Sequence, residues 1–181
     1  MSIAVVAACA LFGAVTGSAI ATGMAIGSIA IPEMLKRGYP KVYSLGLVTV
    51  SATLGLMIPP SIYMILFAGL AMGNILEYFT AGYLPGILIA LCIGIMAYRL
   101  APDIRQERVP MRQRLVALKK AIPALGMPIV VMGSIYSGLF TPTESSALSV
   151  LYCLVICPIF YRNRFNFATF YQSCKEAVSA T

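Results

Sequence analysis

Histidine and tryptophan are absent from these 181 residues, and charge is scarce. Without histidine there is no HExxH zinc site and no Ser-His triad, and the commonest general base of enzymes is missing. Only 10% of the residues are charged, where a soluble domain uses about a quarter to cover its surface. A chain this poor in charge cannot face water all round. CxxC spacing is missing too. Cys9, Cys92, Cys153, Cys157 and Cys174 form no such pair, and they read as small buried apolar side chains rather than a redox or zinc motif. The opening "MSIAVVAACALFGAV" has no basic n-region and runs on into glycine-rich apolar sequence, so no signal peptide is expected.

What fills the chain is hydrocarbon. Hydrophobic residues make up 60%, and the mean hydropathy is +0.89. The expectation is an all-α polytopic membrane protein. Segment one, about 3–35, is apolar but crowded with small and hydroxyl residues, with Gly13, Gly17, Gly23 and Gly27 interleaved with Thr16, Ser18, Thr22 and Ser28. As one helix it would be roughly 50 Å long, too long for a single crossing. Two short helices meeting at "TGSA" fit better, as a re-entrant hairpin. Segment two, about 42–71, also exceeds one straight span and carries "TLGLMIPPSIYM". Residues 81–101, 121–140 and 142–161 read as ordinary transmembrane helices. Residues 165–178 read as an amphipathic tail.

All 13 basic residues fall into three clusters, around 36–41, over 99–120 and after 161. The turns expected at 72–80 and 140–144 hold none, and each holds a glutamate, Glu77 or Glu144. With segment one returning to its own side, every basic cluster lies on one face. The positive-inside rule makes that face cytoplasmic. The net charge of +7 is thus a topology signal, and no nucleic-acid partner is expected.

The prolines of segment two set the central question. A helix broken in hydrocarbon leaves up to about four amides and four carbonyls unpaired. Such backbone survives at membrane depth only where protein buries it or a cavity hydrates it. Pro59 and Pro60 donate no hydrogen bond, Pro60 biases Pro59 to extended backbone, and Gly55 is conformationally free. The break would expose carbonyls around 55–58, which suit a hard cation, and a helix N-terminus near Ser61, which suits a carboxylate. Broken helices with these properties bind substrate and coupling ion in secondary transporters. A plain proline kink is the alternative for the break, and close packing of small residues is the alternative for the hairpin tip.

Three stretches, "LFGAVTGSAIATGMAIGSIAIPEMLKRGY", "TLGLMIPPSIYMILFAG" and "GLFTPTESSAL", resemble in order and spacing the large membrane subunit of tripartite ATP-independent periplasmic (TRAP) transporters. The resemblance implies part of an inverted-repeat elevator-type transporter, with a re-entrant hairpin and a Pro-broken transmembrane helix in each repeat. It implies a bacterial inner-membrane permease for sodium-coupled uptake of organic acids such as C4-dicarboxylates or sialic acids. The implied partners are a small membrane subunit and a periplasmic substrate-binding protein, and ATP is not used. Carried over by motif, a sodium site would take Thr16 and Ser18 from the tip and the backbone carbonyls of Gly55, Ile58 and Pro60 from the break. Ser18, Ser61, Thr141 and Thr143 are the candidate substrate residues. Thr141 or Thr143 alternatively caps the following helix, with Glu144 in its first turn. The family's large subunit is more than twice this length, and one hairpin and one broken helix are visible. The chain is therefore expected to be an internal piece that does not transport alone. A structural membrane subunit, an ion channel and an intramembrane enzyme are the rival readings.

Overall fold

The computed structural model describes residues 1–102, 111–160, 172 and 175, and its regular elements among these are all α-helices. In chain order they are α1 (Ser2–Thr16), α2 (Ala19–Lys36), α3 (Lys41–Ala52), α4 (Leu54–Met57), α5 (Ile62–Leu70), α6 (Ile75–Arg99), α7 (Met111–Tyr136) and α8 (Pro142–Phe160). The chain forms two units, residues 1–114 and 115–181.

In the first unit, α1 and α2 form a tight helical hairpin. Gly17 ends α1 in the left-handed region at φ 62° and returns its amide to Gly13 O. Ser18 then starts α2 in extended backbone, its Oγ accepting from Ala21 N at 3.4 Å. The hairpin packs on α3, and α1 also meets α4 and α6. The core between them holds Val5, Val6, Cys9, Met34, Leu47, Val48, Leu54 and Ile93. Outward positions such as Ile20, Met24, Ile29, Val42, Leu84 and Leu91 are apolar and exposed. Apolar residues inside and outside together describe a surface made for lipid.

One hydroxyl fixes the register of three helices. Tyr43 OH, near the start of α3, lies 2.9 Å from Ala97 O in α6 and 3.0 Å from Ser2 Oγ in α1. Its ring stacks on buried Tyr39. The start of α1, the end of α2, the start of α3 and the end of α6 therefore meet at one end. That end carries Lys36, Arg37, Lys41 and Arg99, with Arg37 paired to Glu33 at 2.7 Å. At 1.5 Å per residue, the hairpin tip lies roughly 22 Å from this end, whereas α6 is roughly 37 Å long. The hairpin is thus too short to match the reach of α6.

The broken segment has two interruptions. α3 stops at Ala52, the single turn α4 follows, and residues 58–61 are non-helical before α5. The halves Lys41–Met57 and Ile62–Leu70 are bent by 41°. By length and composition, α6 and α8 each suffice to cross a membrane, and the bent pair does so if counted as one span.

Several element bounds differ from the sequence reading. The helix expected at 81–101 begins at Ile75, because Asn74 Oδ1 caps it by accepting from Leu76 N at 3.1 Å. Glu77 consequently sits in the first turn of α6, where the helix dipole favours it. The basic stretch read as a loop to residue 120 is helical from Met111, so Arg112, Arg114, Lys119 and Lys120 lie on α7. The tail expected at 165–178 lies outside the described residues, apart from Gln172 and Lys175.

In the second unit, α7 and α8 are joined by polar contacts. Ser134 Oγ and Ser145 Oγ are both buried and 2.8 Å apart. Tyr152 OH donates to Pro123 O at 2.7 Å, passing over Gly126, where any Cβ would collide with it.

Replacing Tyr43 by phenylalanine keeps the ring and removes the hydroxyl clamp. The expected cost is about 1 kcal/mol, read as a lowered thermal midpoint of the purified protein. An unchanged midpoint would mean the hydroxyl does not hold the three helices.

Candidate functional site: a hairpin tip seated on a helix break

The covalent chain creates the need that the site meets. Helical pairing would send the amides of residues 59 and 60 to the carbonyls of Gly55 and Leu56, and both donors are prolines. Ile58 (φ −83°, ψ 120°) and Ser61 (φ −119°, ψ 131°) are extended. The first amides of α5 have no helical acceptor either. One is satisfied from across the fold: Ile62 N donates to Gly17 O at 3.3 Å.

The tip reaches the break because glycine lets it. A Cβ at position 17 would stand 2.6 Å from Pro60 O and 3.3 Å from Ile62 N. Below it, α1 crosses α4 backbone to backbone, since a Cβ on Gly13 would be 2.7 Å from Gly55 Cα. A Cβ on Gly55 would meet Ser18 O and Thr22 Oγ1, each at 3.0 Å. Small residues at such crossings let helices approach without hydrophobic driving force in lipid.

Oxygen atoms gather where these backbones touch. Thr22 is fully buried and its Oγ1 donates to Ser18 O at 2.7 Å. Thr16 Oγ1 lies 3.1 Å from Thr22 Oγ1, 3.2 Å from Phe12 O and 3.4 Å from Ser18 O. With one proton it satisfies one of these at a time. Ser61 is fully buried at the entrance to α5, and its Oγ has no protein partner; Ser51 Oγ in α3 is in the same state. All of these oxygens are neutral, and no cluster of three His, Cys, Asp or Glu exists among the described residues. The donor set suits a hard, singly charged cation rather than a transition metal.

Of the residues singled out in the sequence, the structure brings Thr16, Ser18, Gly55, Pro60 and Ser61 together. Ile58 is at the break, but its side chain is turned to Gly86 of α6. Thr141 and Thr143 belong to the second unit, at the start of α8. There Glu144 Oε2 accepts from Thr141 N at 2.7 Å and from Thr141 Oγ1 at 2.8 Å, while Glu144 N returns to Thr141 Oγ1 at 3.4 Å. This reciprocal pair is a capping box. Gly13, Gly17, Thr22 and Ser51 were not among the candidate site residues. The signal for Thr22 was present, because Ser18 and Thr22 are four apart and share a helix face.

A family model described as "Tripartite ATP-independent periplasmic transporter, DctM component" matches residues 1–181. The chain belongs to this family. It is 39% identical over 166 residues to the C4-dicarboxylate TRAP transporter large permease protein DctM of Pseudomonas aeruginosa, covering 90% of this chain and 39% of that protein. It is 38% identical over 179 residues to the ectoine/5-hydroxyectoine large permease protein UehC of Ruegeria pomeroyi, covering 97% and 42%. It is 34% identical over 174 residues to the sialic acid permease protein SiaT of Haemophilus influenzae, covering 94% and 28%. The chain therefore spans about two-fifths or less of the length of these relatives. All three are named as transporter permeases, not enzymes, and in this family the apolar helices belong to an integral membrane protein.

Two glycines separate strain from contact. Gly17 (φ 62°) and Gly38 (φ 85°) are both left-handed, but only Gly17 has atoms within reach of a Cβ. Alanine at 38 is expected to cost about 1 kcal/mol from backbone conformation alone. Alanine at 17 adds the collision with Pro60 O, so the thermal midpoint falls further. Equal losses would mean the tip does not rest on the break.

Proposed function

We propose that this chain forms the ion-binding part of a permease for secondary active, sodium-coupled uptake of organic acids. The observation that carries the reading is the contact of Gly17 with the Pro59–Pro60 break, which collects neutral oxygens and no carboxylate. Sodium is here a transported ion. Thr16 and Ser18 would supply ligands from the tip, and the carbonyls of Gly55, Ile58 and Pro60 would supply them from the break. Prolines at 59 and 60 leave the Gly55 carbonyl without a helical donor. Thr22 would position Thr16 and Ser18. Because the ligands come from two elements, sodium binds best when tip and break are together. Occupancy then biases the tip's position, and differential binding is what a coupled transporter requires.

The substrate would be a carboxylate of C4-dicarboxylate or sialic acid type. Support comes from Ser61 Oγ, buried without a protein partner at the N-terminus of α5, where the dipole and free amides favour an anion. The relatives' names span dicarboxylate, ectoine and sialic acid at similar identity. Ser18 and Ser61 carry this role first. Thr141 and Thr143 stand at a second helix N-terminus, that of α8, where the Thr141 hydroxyl serves the cap. The parent permease would work in the bacterial inner membrane with a small membrane subunit and a periplasmic binding protein. The end bearing Lys36, Lys41 and Arg99 would be cytoplasmic by the positive-inside rule. The 181 residues alone would not transport.

Uptake of labelled organic acids by the full parent system is expected to follow a sodium gradient. Thr16→Ala should raise the half-saturating sodium concentration about tenfold, equivalent to about 1.4 kcal/mol. Ser61→Ala should raise the KM for the acid instead. Uptake driven by protons and indifferent to sodium would overturn the ion assignment. Uptake lost together with assembly would favour a structural role for these residues.

A further inference from the structure

A groove of about 210 Å³ runs between α3 and α6, and none of the proposed ion-site residues lines it. Gly46, Leu47 and Val50 line it from α3, Ile93 and Met96 from α6, and Leu100 from just past the end of α6. Its one side-chain hydroxyl, that of Tyr43, is committed to Ala97 O and Ser2 Oγ. A polar ligand would find no partner inside. The groove opens sideways, since Val50, Met96 and Leu100 are exposed, and it meets the apolar outer surface there.

Gly46 marks the groove as a space kept clear. A Cβ built on it meets nothing within 4 Å. Glycine within a helix is unfavourable relative to alanine, and among the described residues no backbone uses the room it leaves. At the Tyr43 end the groove reaches the basic end of the fold. Lys41 opens α3 and Arg99 closes α6, and both are exposed. Among the described residues the nearby acid, Glu33, is paired with Arg37, and no ion pair is formed by Lys41 or Arg99. An apolar slot that ends at two cations complements an acyl tail with an anionic headgroup.

We propose that this groove is a binding site for an anionic phospholipid, with one acyl chain over Gly46 and the headgroup at Lys41 and Arg99. The zwitterionic lipids of the same bilayer share the tail but lack the net charge. A helix of another protein would fill the slot without calling for cations at one end.

The test uses the full parent protein reconstituted in liposomes with phosphatidylglycerol bearing a photoreactive diazirine in its acyl tail. Labelled peptides are identified by mass spectrometry. Adducts are expected on the peptides holding Val50 and Met96, at least about fivefold above those from the matching phosphatidylcholine probe, given the attraction of a basic residue to an anionic lipid. Gly46→Phe should abolish these adducts. Gly94→Phe should not, because Gly94 also has open space but lies outside the groove. Lys41→Gln with Arg99→Gln should lower phosphatidylglycerol labelling to the phosphatidylcholine level. Should Gly46→Phe fail to fold, the charge variant decides alone. Equal labelling by both lipids, labelling that survives Gly46→Phe, or no labelling because protein fills the slot would each overturn the proposal.

Discussion

An unpaired backbone group is costly in hydrocarbon, and the helix break of the first unit creates several. Two adjacent prolines withdraw the donors that Gly55 and Leu56 would have used, and they restart a helix whose first amides lack acceptors. The α1–α2 hairpin is the part of the chain placed to answer. Its tip gives Gly17 O to Ile62 N, and three glycines let backbone approach backbone there.

The remaining architecture sets the depth and register of that contact. Tyr43 ties the starts of α1 and α3 to the end of α6. The fifteen residues of α1 then carry the tip to the break and no farther. Apolar side chains line both the interior and the outside, so the polar atoms at the tip stand out as a deliberate concentration. They are hydroxyls and carbonyls, with no carboxylate among them.

Much of this was legible in residues. Length and glycine content over 3–35 implied two short helices meeting at "TGSA", and α1 gives way to α2 at Gly17 and Ser18. "IPPS" implied a helix restart near Ser61, and α5 begins at Ile62. The TRAP motifs named the family that the family model and relatives show. Other features were not legible, for physical reasons. The start of α6 depends on whether Asn74 caps a helix or sits in a turn, and its side chain can do either. The residues of α7 before 121 are basic, and polarity alone does not distinguish a solvated helix from a loop. Ser51 looked like an ordinary small residue in an apolar helix. Only packing reveals that its hydroxyl is buried without a protein partner. The Tyr43 clamp joins positions 41 and 54 residues apart, beyond any local pattern.

The central claim is that sodium binds where tip and break meet. The direct measurement is the alkylation rate of a cysteine placed at position 61 of the full parent protein, followed by mass spectrometry in sodium and in choline. Ser61 lies under the tip, with its Cα 3.3 Å from where a Cβ on Gly17 would stand. Sodium holding the tip down should slow alkylation saturably, and choline should not. Equal rates in both salts, in a protein whose uptake still needs sodium, would place the ion elsewhere.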